Sequence, residues 1–195
     1  MLKFTSVFML AALLAPAETL TKGERERAMS ELHASRKMLI DAVAGLSETQ
    51  LNWKSAPDRW SIAEVTEHLA VAEDFFFDFY KQVSAEPADP TKHAAMKDED
   101  IMKDMRNREE KFKAPEAITP KKAFPNTAAA LAAFKERRDA HIAYVETTDD
   151  PDLRQKIVPA FGMDAYQIFL MIASHTERHC AQIAEVKAAD GYPKH

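Results

Sequence analysis

The sequence predicts an all-α protein, a four-helix bundle in up-down-down-up order with a long crossover between its second and third helices. Three observations lead there. Only four glycines occur in 195 residues, too few for a fold built on many tight turns, while nine methionines and frequent alanines suit helices. Four long segments carry apolar residues at the helical period. The connections between them are short, long and short in turn, and this decides how neighbouring helices run.

The first helix is expected over about Glu24 to Leu46, with Leu32, Leu39, Val43 and Leu46 on one stripe and Glu26 and Lys37 off it. The second starts at Ser61-Ile62-Ala63-Glu64, a capping box in which serine and glutamate satisfy each other's backbone donors. Trp60, just ahead of the cap, can staple onto Val65. This helix continues to about Val83 through Leu69, Ala72, Phe76 and Phe79, and the Phe75-Phe76-Phe77 cluster reads as core. The third helix is expected from about Thr127 to Thr147, capped by Asn126, with Leu131, Phe134 and Val145 on its seam. Arg138 and His141 fall on the same seam and read as a buried or snorkelling polar pair. The fourth runs from about Met163 to Ala189 and is apolar through Ile168-Phe169-Leu170-Met171-Ile172.

Residues 47–60 and 148–162 are short links, so each joins antiparallel neighbours. Residues 84–125 are longer, hold five prolines and have room for a short charged helix at about Asp98 to Lys111. Such a link can run the length of the bundle. The second and third helices can then be parallel, and the second antiparallel to the fourth.

Hydrophobic residues make up 46% and charged residues 29%, a composition that excludes disorder. The net charge of −5 comes without a basic stripe, which argues against a nucleic-acid partner. Residues 1–17 differ from the rest. Lys3, the apolar run Phe4 to Leu14 and then Ala15-Pro16-Ala17 have the order of a secretory signal peptide, although a buried N-terminal helix would also suit them. The run is too short to span a bilayer, so no stable membrane insertion is expected after cleavage. Residues 18–195 would form one exported bundle domain, periplasmic or secreted. Its lone Cys180 cannot form an internal disulfide and reads as a packing residue.

Three of the seven histidines stand apart. His68 lies on the apolar stripe of the second helix. His175 and His179 are four residues apart on the fourth, so they share a face one turn apart. His68 is seven residues past the Ser61 cap, and counting back seven from the end of the fourth helix reaches Gln182. At about 1.5 Å per residue, antiparallel packing brings His68 near the level of His179. Three neutral imidazoles aimed at one spot, with a fourth position open, suit a catalytic zinc-type site. The same residues also suit a plain bundle with core histidines. Glu64 is accounted for by its cap, and Glu177 should point away from His175 into solvent. Thr176 stands where a zinc protease of the HExxH type has glutamate, which excludes that class. His33, His93, His141 and His195 lie off the constellation, and no general base or other catalytic residue can be named.

Trp60-Ser61-Ile62-Ala63-Glu64 with His68-Leu69-Ala70 resembles the second-helix motif of the DinB/YfiT-like family. His175-Thr176-Glu177-Arg178-His179 with Gln182-Ile183 is similar to that family's last-helix motif, and Ala114-Pro115-Glu116 fits one subgroup of it. The resemblance covers roughly Glu26 to Pro193. It implies a four-helix bundle with a long link between helices 2 and 3, and His68, His175 and His179 as ligands of one divalent metal ion, zinc or nickel before others. It further implies a transferase or hydrolase acting on a small molecule, with a metal-activated thiol or water as nucleophile. Export counts against a thiol, since such cosubstrates are mainly cytosolic. A non-catalytic metal-containing binding or stress protein is the other reading, and a homodimer is compatible with either. If residues 1–17 are a signal peptide, Edman sequencing of protein recovered from its native host begins at Glu18 or close by; an intact Met1 on soluble cytoplasmic protein would refute export.

Overall fold

Helix α1 (Lys22–Val43) opens on Thr21, whose Oγ1 accepts from the Glu24 amide while the Glu24 carboxylate accepts from the Thr21 amide. The same reciprocal cap recurs at Ser47 and Gln50, before the short helix α2 (Glu48–Asn52), and at Ser61 and Glu64, before α3 (Ile62–Ser84). Each cap satisfies donors that the first turn leaves free, worth about 0.5–2 kcal/mol. Helix α4 (Asp98–Arg106) lies within the long link, followed by α5 (Thr127–Thr147), capped by Asn126, and α6 (Gln167–Ala188). These belong to a computed structural model that describes residues 19–194. The expected signal segment 1–17, its cleavage point and His195 lie outside the described residues.

α1, α3, α5 and α6 form the expected all-helical four-helix bundle. Contacts along α3 and α6 run in opposite senses: His68 meets His179, Phe76 meets His175, and Tyr80 meets Phe169. Contacts along α3 and α5 run in the same sense. Arg137 donates to the Ala70 carbonyl, Arg138 to Glu73, and Phe77 stacks on His141. The link between α3 and α5 therefore crosses the bundle lengthwise. Its helix α4 lies along α6, with Gln167 Nε2 donating to Asp98 at one end and Arg106 paired with Glu177 at the other.

Three boundaries differ from the sequence expectation, the first being the end of α1 at Val43 rather than Leu46, where Gly45 takes a φ of +71. The last helix starts at Gln167 rather than near Met163, because Met163–Asp164 pairs antiparallel with Ile157–Val158 in a two-residue ladder. Gly162 turns that ladder at φ +65. Asp164 then accepts from the Gln167 amide and donates its own amide to Gln167 Oε1, ending the strand and opening the helix. The charged helix in the crossover stops at Arg106 rather than Lys111, where Asn107 Oδ1 accepts from the Glu109 amide and turns the chain.

The core divides into two apolar clusters. One holds Ala28, Leu32, Tyr80, Val145 and Phe169; the other holds Leu39, Val65, Leu69, Phe134 and Ile183. Between them on the four helices lie Ser35, Glu73, Arg138 and Thr176. Arg138, with 0% exposure, donates to both Glu73 oxygens at 2.9 and 2.6 Å, to Ser35 Oγ at 2.7 Å and to Thr176 Oγ1 at 2.8 Å. His141 Nδ1 lies 3.0 Å from the same carboxylate. Arg138 and His141 are thus buried polar residues, as the seam suggested, and Glu73 is the partner the sequence did not reveal. Burial alone would raise the Glu73 pKa, but the Arg138 charge and His141 hold it below the ordinary carboxyl value.

Removing one partner of such a pair strands the other. Arg138→Met is expected to cost about 3–5 kcal/mol in urea unfolding at neutral pH. Because the folded carboxyl pKa is depressed, its contribution is present above the unfolded value and disappears as pH falls through the folded one. Wild type should therefore lose stability in acid more steeply than Arg138→Met does.

Candidate metal centre

Ser61 fixes where α3 begins, and so sets which face of its second turn carries His68. α6 presents His175 and His179 one turn apart. Antiparallel packing brings the three rings together: His68 Nε2 lies 3.1 Å from His179 Nε2 and 3.3 Å from His175 Nε2. The level match expected from the sequence is met at the nitrogen atoms. All three ligand nitrogens lie within 4.8 Å of one another, and all three residues are buried.

Hydrogen bonds set which nitrogen faces the cluster. His68 Nδ1 is 2.7 Å from the Ile118 carbonyl oxygen, and a carbonyl only accepts, so this nitrogen carries the proton. His179 Nδ1 donates likewise to Gln182 Oε1 at 2.8 Å. With both protons on Nδ1, the two Nε2 atoms face each other as bare lone pairs at hydrogen-bond distance with no hydrogen between them. A cation between them turns this repulsion into binding. Two imidazole nitrogens on one tetrahedral zinc lie about 3.3 Å apart, given bonds of about 2.0–2.1 Å. The donor set and its spacing fit a divalent ion.

The electrostatics agree. Burial lowers the His68 pKa, with the Ile118 carbonyl acting the other way. Burial, then His179 and His68, push His175 well below the ordinary histidine value. Burial and His68 bring His179 down to about 3. All three rings are therefore neutral at pH 7, the form in which imidazole binds metal. Trp60 lies against His68 and His179, with ring centroids 4.9 and 6.3 Å away, and Phe76 lies 5.0 Å from His175. The rings are clamped from two sides.

The cluster forms the inner end of a cavity of about 730 Å³, walled by Phe75, Phe76, Phe79, Met163 and Met171. Phe75 and Phe76 thus line the cavity, whereas the sequence placed the whole Phe75-Phe76-Phe77 cluster in the core. Phe77 turns inward onto His141 and Tyr80, and Phe76 packs against the core as well as lining the cavity, so Phe75 alone of the three departs from that expectation. Glu177 is not simply solvated, since Arg106 holds it at 2.7 Å. Glu64 serves its cap and pairs with Lys54. His33 and His93 are exposed, and His141 belongs to the Glu73 layer. Cys180 is buried beside the cluster, and burial pushes its thiol up to about 12, so it is a packing group.

Sequence reasoning missed the support of the rings. Gln182, three residues after His179, shares its face and could have been read from spacing. The Ile118 carbonyl could not, because a backbone oxygen leaves no mark in residue type.

The DinB superfamily profile matches residues 31–183. No curated protein matches the sequence. Among solved structures, YfiT from Bacillus subtilis superposes with a TM-score of 0.57 at 18% identity, covering 92% of this chain and 95% of that one. That protein is described as a probable metal-dependent hydrolase with an unusual four-helix bundle topology. At this identity the likeness is one of fold.

Gently purified protein should hold about one divalent ion per chain by elemental analysis. His68→Ala, His175→Ala and His179→Ala should each abolish it, while His33→Ala and His93→Ala should retain it. Gln182→Leu, which frees the His179 ring, should weaken affinity about 10–100-fold. Equal metal binding by wild type and the triple alanine variant would make the three histidines core residues.

Proposed function

The chain belongs to the DinB superfamily, and from that premise we propose that it is a metal-dependent enzyme that hydrolyses a small molecule at the three-histidine centre. One observation carries this reading: three neutral imidazole nitrogens converge at the inner end of an apolar cavity large enough for a substrate. His68, His175 and His179 are the ligands in this reading, and zinc or nickel suits a set of imidazole donors. When bound, such an ion lowers the pKa of a water and polarises the bond to be cut.

The protein's own residues set the stage for that chemistry. Ile118 and Gln182 hold His68 and His179 in the tautomer that directs Nε2 inward. Trp60 and Phe76 keep the rings from turning. The phenylalanine and methionine walls keep bulk water from the centre, which strengthens electrostatic interactions inside it. Asp58 is the sole carboxylate among the described residues lining the cavity, and it is exposed, so no residue is assigned as general base. In this proposal residues 1–17, which have the residue order of a signal peptide, act as an export signal and the reaction runs outside the cytoplasm. Thiol cosubstrates are scarce there, which favours water over a thiol as nucleophile.

The test is a panel of esters, amides and lactones offered to the metal-loaded protein, with and without glutathione or cysteine. Turnover without thiol is expected, falling to background on chelation and in His179→Ala. Turnover that requires thiol would make the protein an S-transferase. Bound metal with no turnover on any substrate class would favour the non-catalytic binding protein.

A further inference from the structure

We infer that the cavity over the histidine centre accepts an amphipathic anion, with an acyl or aryl body along the phenylalanine walls and one anionic group at the mouth. The inference rests on the hydrolytic reading only for what the bound body then undergoes.

Among the described residues, the large hydrophobic side chains left exposed are Met38, Phe75, Phe112 and Phe161. Three of these four line the same cavity. A single exposed apolar residue is ordinary, but three gathered on one opening mark a surface that something apolar covers. Further in, Phe76, Phe79 and Met171 continue the apolar wall to the imidazoles.

The cations are gathered there too. Arg59, Arg108, Lys111, Lys113 and Arg178 all line the cavity, against the single acid Asp58, in a chain whose net charge is −5. Two of the five are already engaged. Arg108 makes a two-point pair with Glu185 at 3.0 and 2.7 Å, and Arg178 donates to the Met105 and Glu110 carbonyls beneath the Phe112 ring. The Arg59 and Lys113 side chains make no ion pair or hydrogen bond among the described residues. Lys111 reaches only the field of Glu185, which Arg108 already holds. Arg59 lies in the link before α3, whereas Lys111 and Lys113 lie in the crossover. Two separate segments thus bring uncommitted positive charge to one apolar opening.

An apolar wall would suit a neutral lipid-like molecule, and a basic rim alone would suit any small anion. Their combination selects a molecule with both parts. A lipid surface has similar chemistry, but the cavity extends inward to the histidine nitrogens and its volume lies in the small-molecule range of about 300–1,000 Å³. A free amphipathic molecule is therefore the occupant.

Calorimetric titration tests this with decane-1-sulfonate, decan-1-ol and decyltrimethylammonium, each below its micelle concentration. Sulfonate is a poor metal ligand, so its binding reports the rim rather than the ion. The titrations are made on metal-loaded and on chelated protein. The sulfonate should bind about tenfold tighter than the alcohol in both, and the ammonium more weakly than either. Arg59→Gln/Lys111→Gln/Lys113→Gln should bring the sulfonate down to the alcohol and leave the alcohol unchanged. Raising salt from about 0.05 M to about 0.5 M should do the same. Phe75→Ser should weaken all three ligands.

Equal affinities for the three head groups would overturn the inference, as would no binding or an anion preference that survives the triple variant. Sedimentation with phosphatidylglycerol vesicles through Phe112 and Phe161, without binding of free sulfonate, would make the mouth a membrane-facing surface and overturn it as well. Binding is read without turnover and in chelated protein, so failure here leaves the metal assignment standing, and failure of that assignment leaves this result standing.

Discussion

Lone pairs aimed at one point repel one another until a cation lies between them. In this protein the Nε2 atoms of His68 and His179 are held 3.1 Å apart with their protons committed elsewhere. Left to themselves, the rings would rotate or take up a proton and separate. They are prevented by Ile118 and Gln182 on their outer nitrogens, by Trp60 and Phe76 on their faces, and by burial that disfavours protonation. The arrangement costs stability, and the bundle around it offsets that cost through two apolar clusters that do not depend on the ion.

The convergence depends in turn on the register between α3 and α6, because a slip of one residue rotates a helical side chain about 100° and moves it about 1.5 Å along the axis. The Arg138 layer holds that register. Its guanidinium, carried on α5, bonds to Ser35 on α1, Glu73 on α3 and Thr176 on α6, so one side chain ties all four bundle helices at a single level. Thr176 follows His175 directly, and Glu73 lies five residues after His68. An apolar core of the same volume could be as stable, but leucine and phenylalanine tolerate sliding, whereas a two-point guanidinium–carboxylate pair does not. Specificity of register accounts for a buried ion pair whose own stabilisation is modest.

Where local rules act, the sequence was legible. The Ser61 box, the apolar stripes and the i, i+4 histidines depend on residues a turn apart, and these placed the second helix and all three imidazoles before any coordinates. The unequal links gave the antiparallel relation of α3 and α6. The missed features depend on distant partners or on backbone atoms. The fourth helix carries a helical pattern back to Met163, yet Met163 and Asp164 pair with Ile157 and Val158, a choice made by the ladder and by Gly162. Glu73 sits on a helix face with no feature to mark it as the partner of an arginine 65 residues away. Phe75 and Phe76 have the composition of core, and only the cavity beside them shows that they line it.

The same division runs through the site. The three candidate metal donors and the register lock lie on helices, where packing holds side chains in place. Several exposed groups around the cavity opening lie on irregular chain: Arg59 before α3, Phe112 and Lys113 in the crossover, and Phe161 at the turn of the small ladder. These irregular segments are anchored to one another. The Met96 amide donates to the Gly162 carbonyl at 3.0 Å, and a Cβ on Gly162 would come within 3.3 Å of Ala95. The crossover is thus pinned against the ladder turn that carries Phe161. It is also pinned to α3, through Ile118 on His68. A link long enough to make α3 and α5 parallel therefore also forms one wall of the cavity. The length that the topology requires is the length from which the binding surface is built, and that surface can vary in sequence without disturbing the helices that hold the histidines.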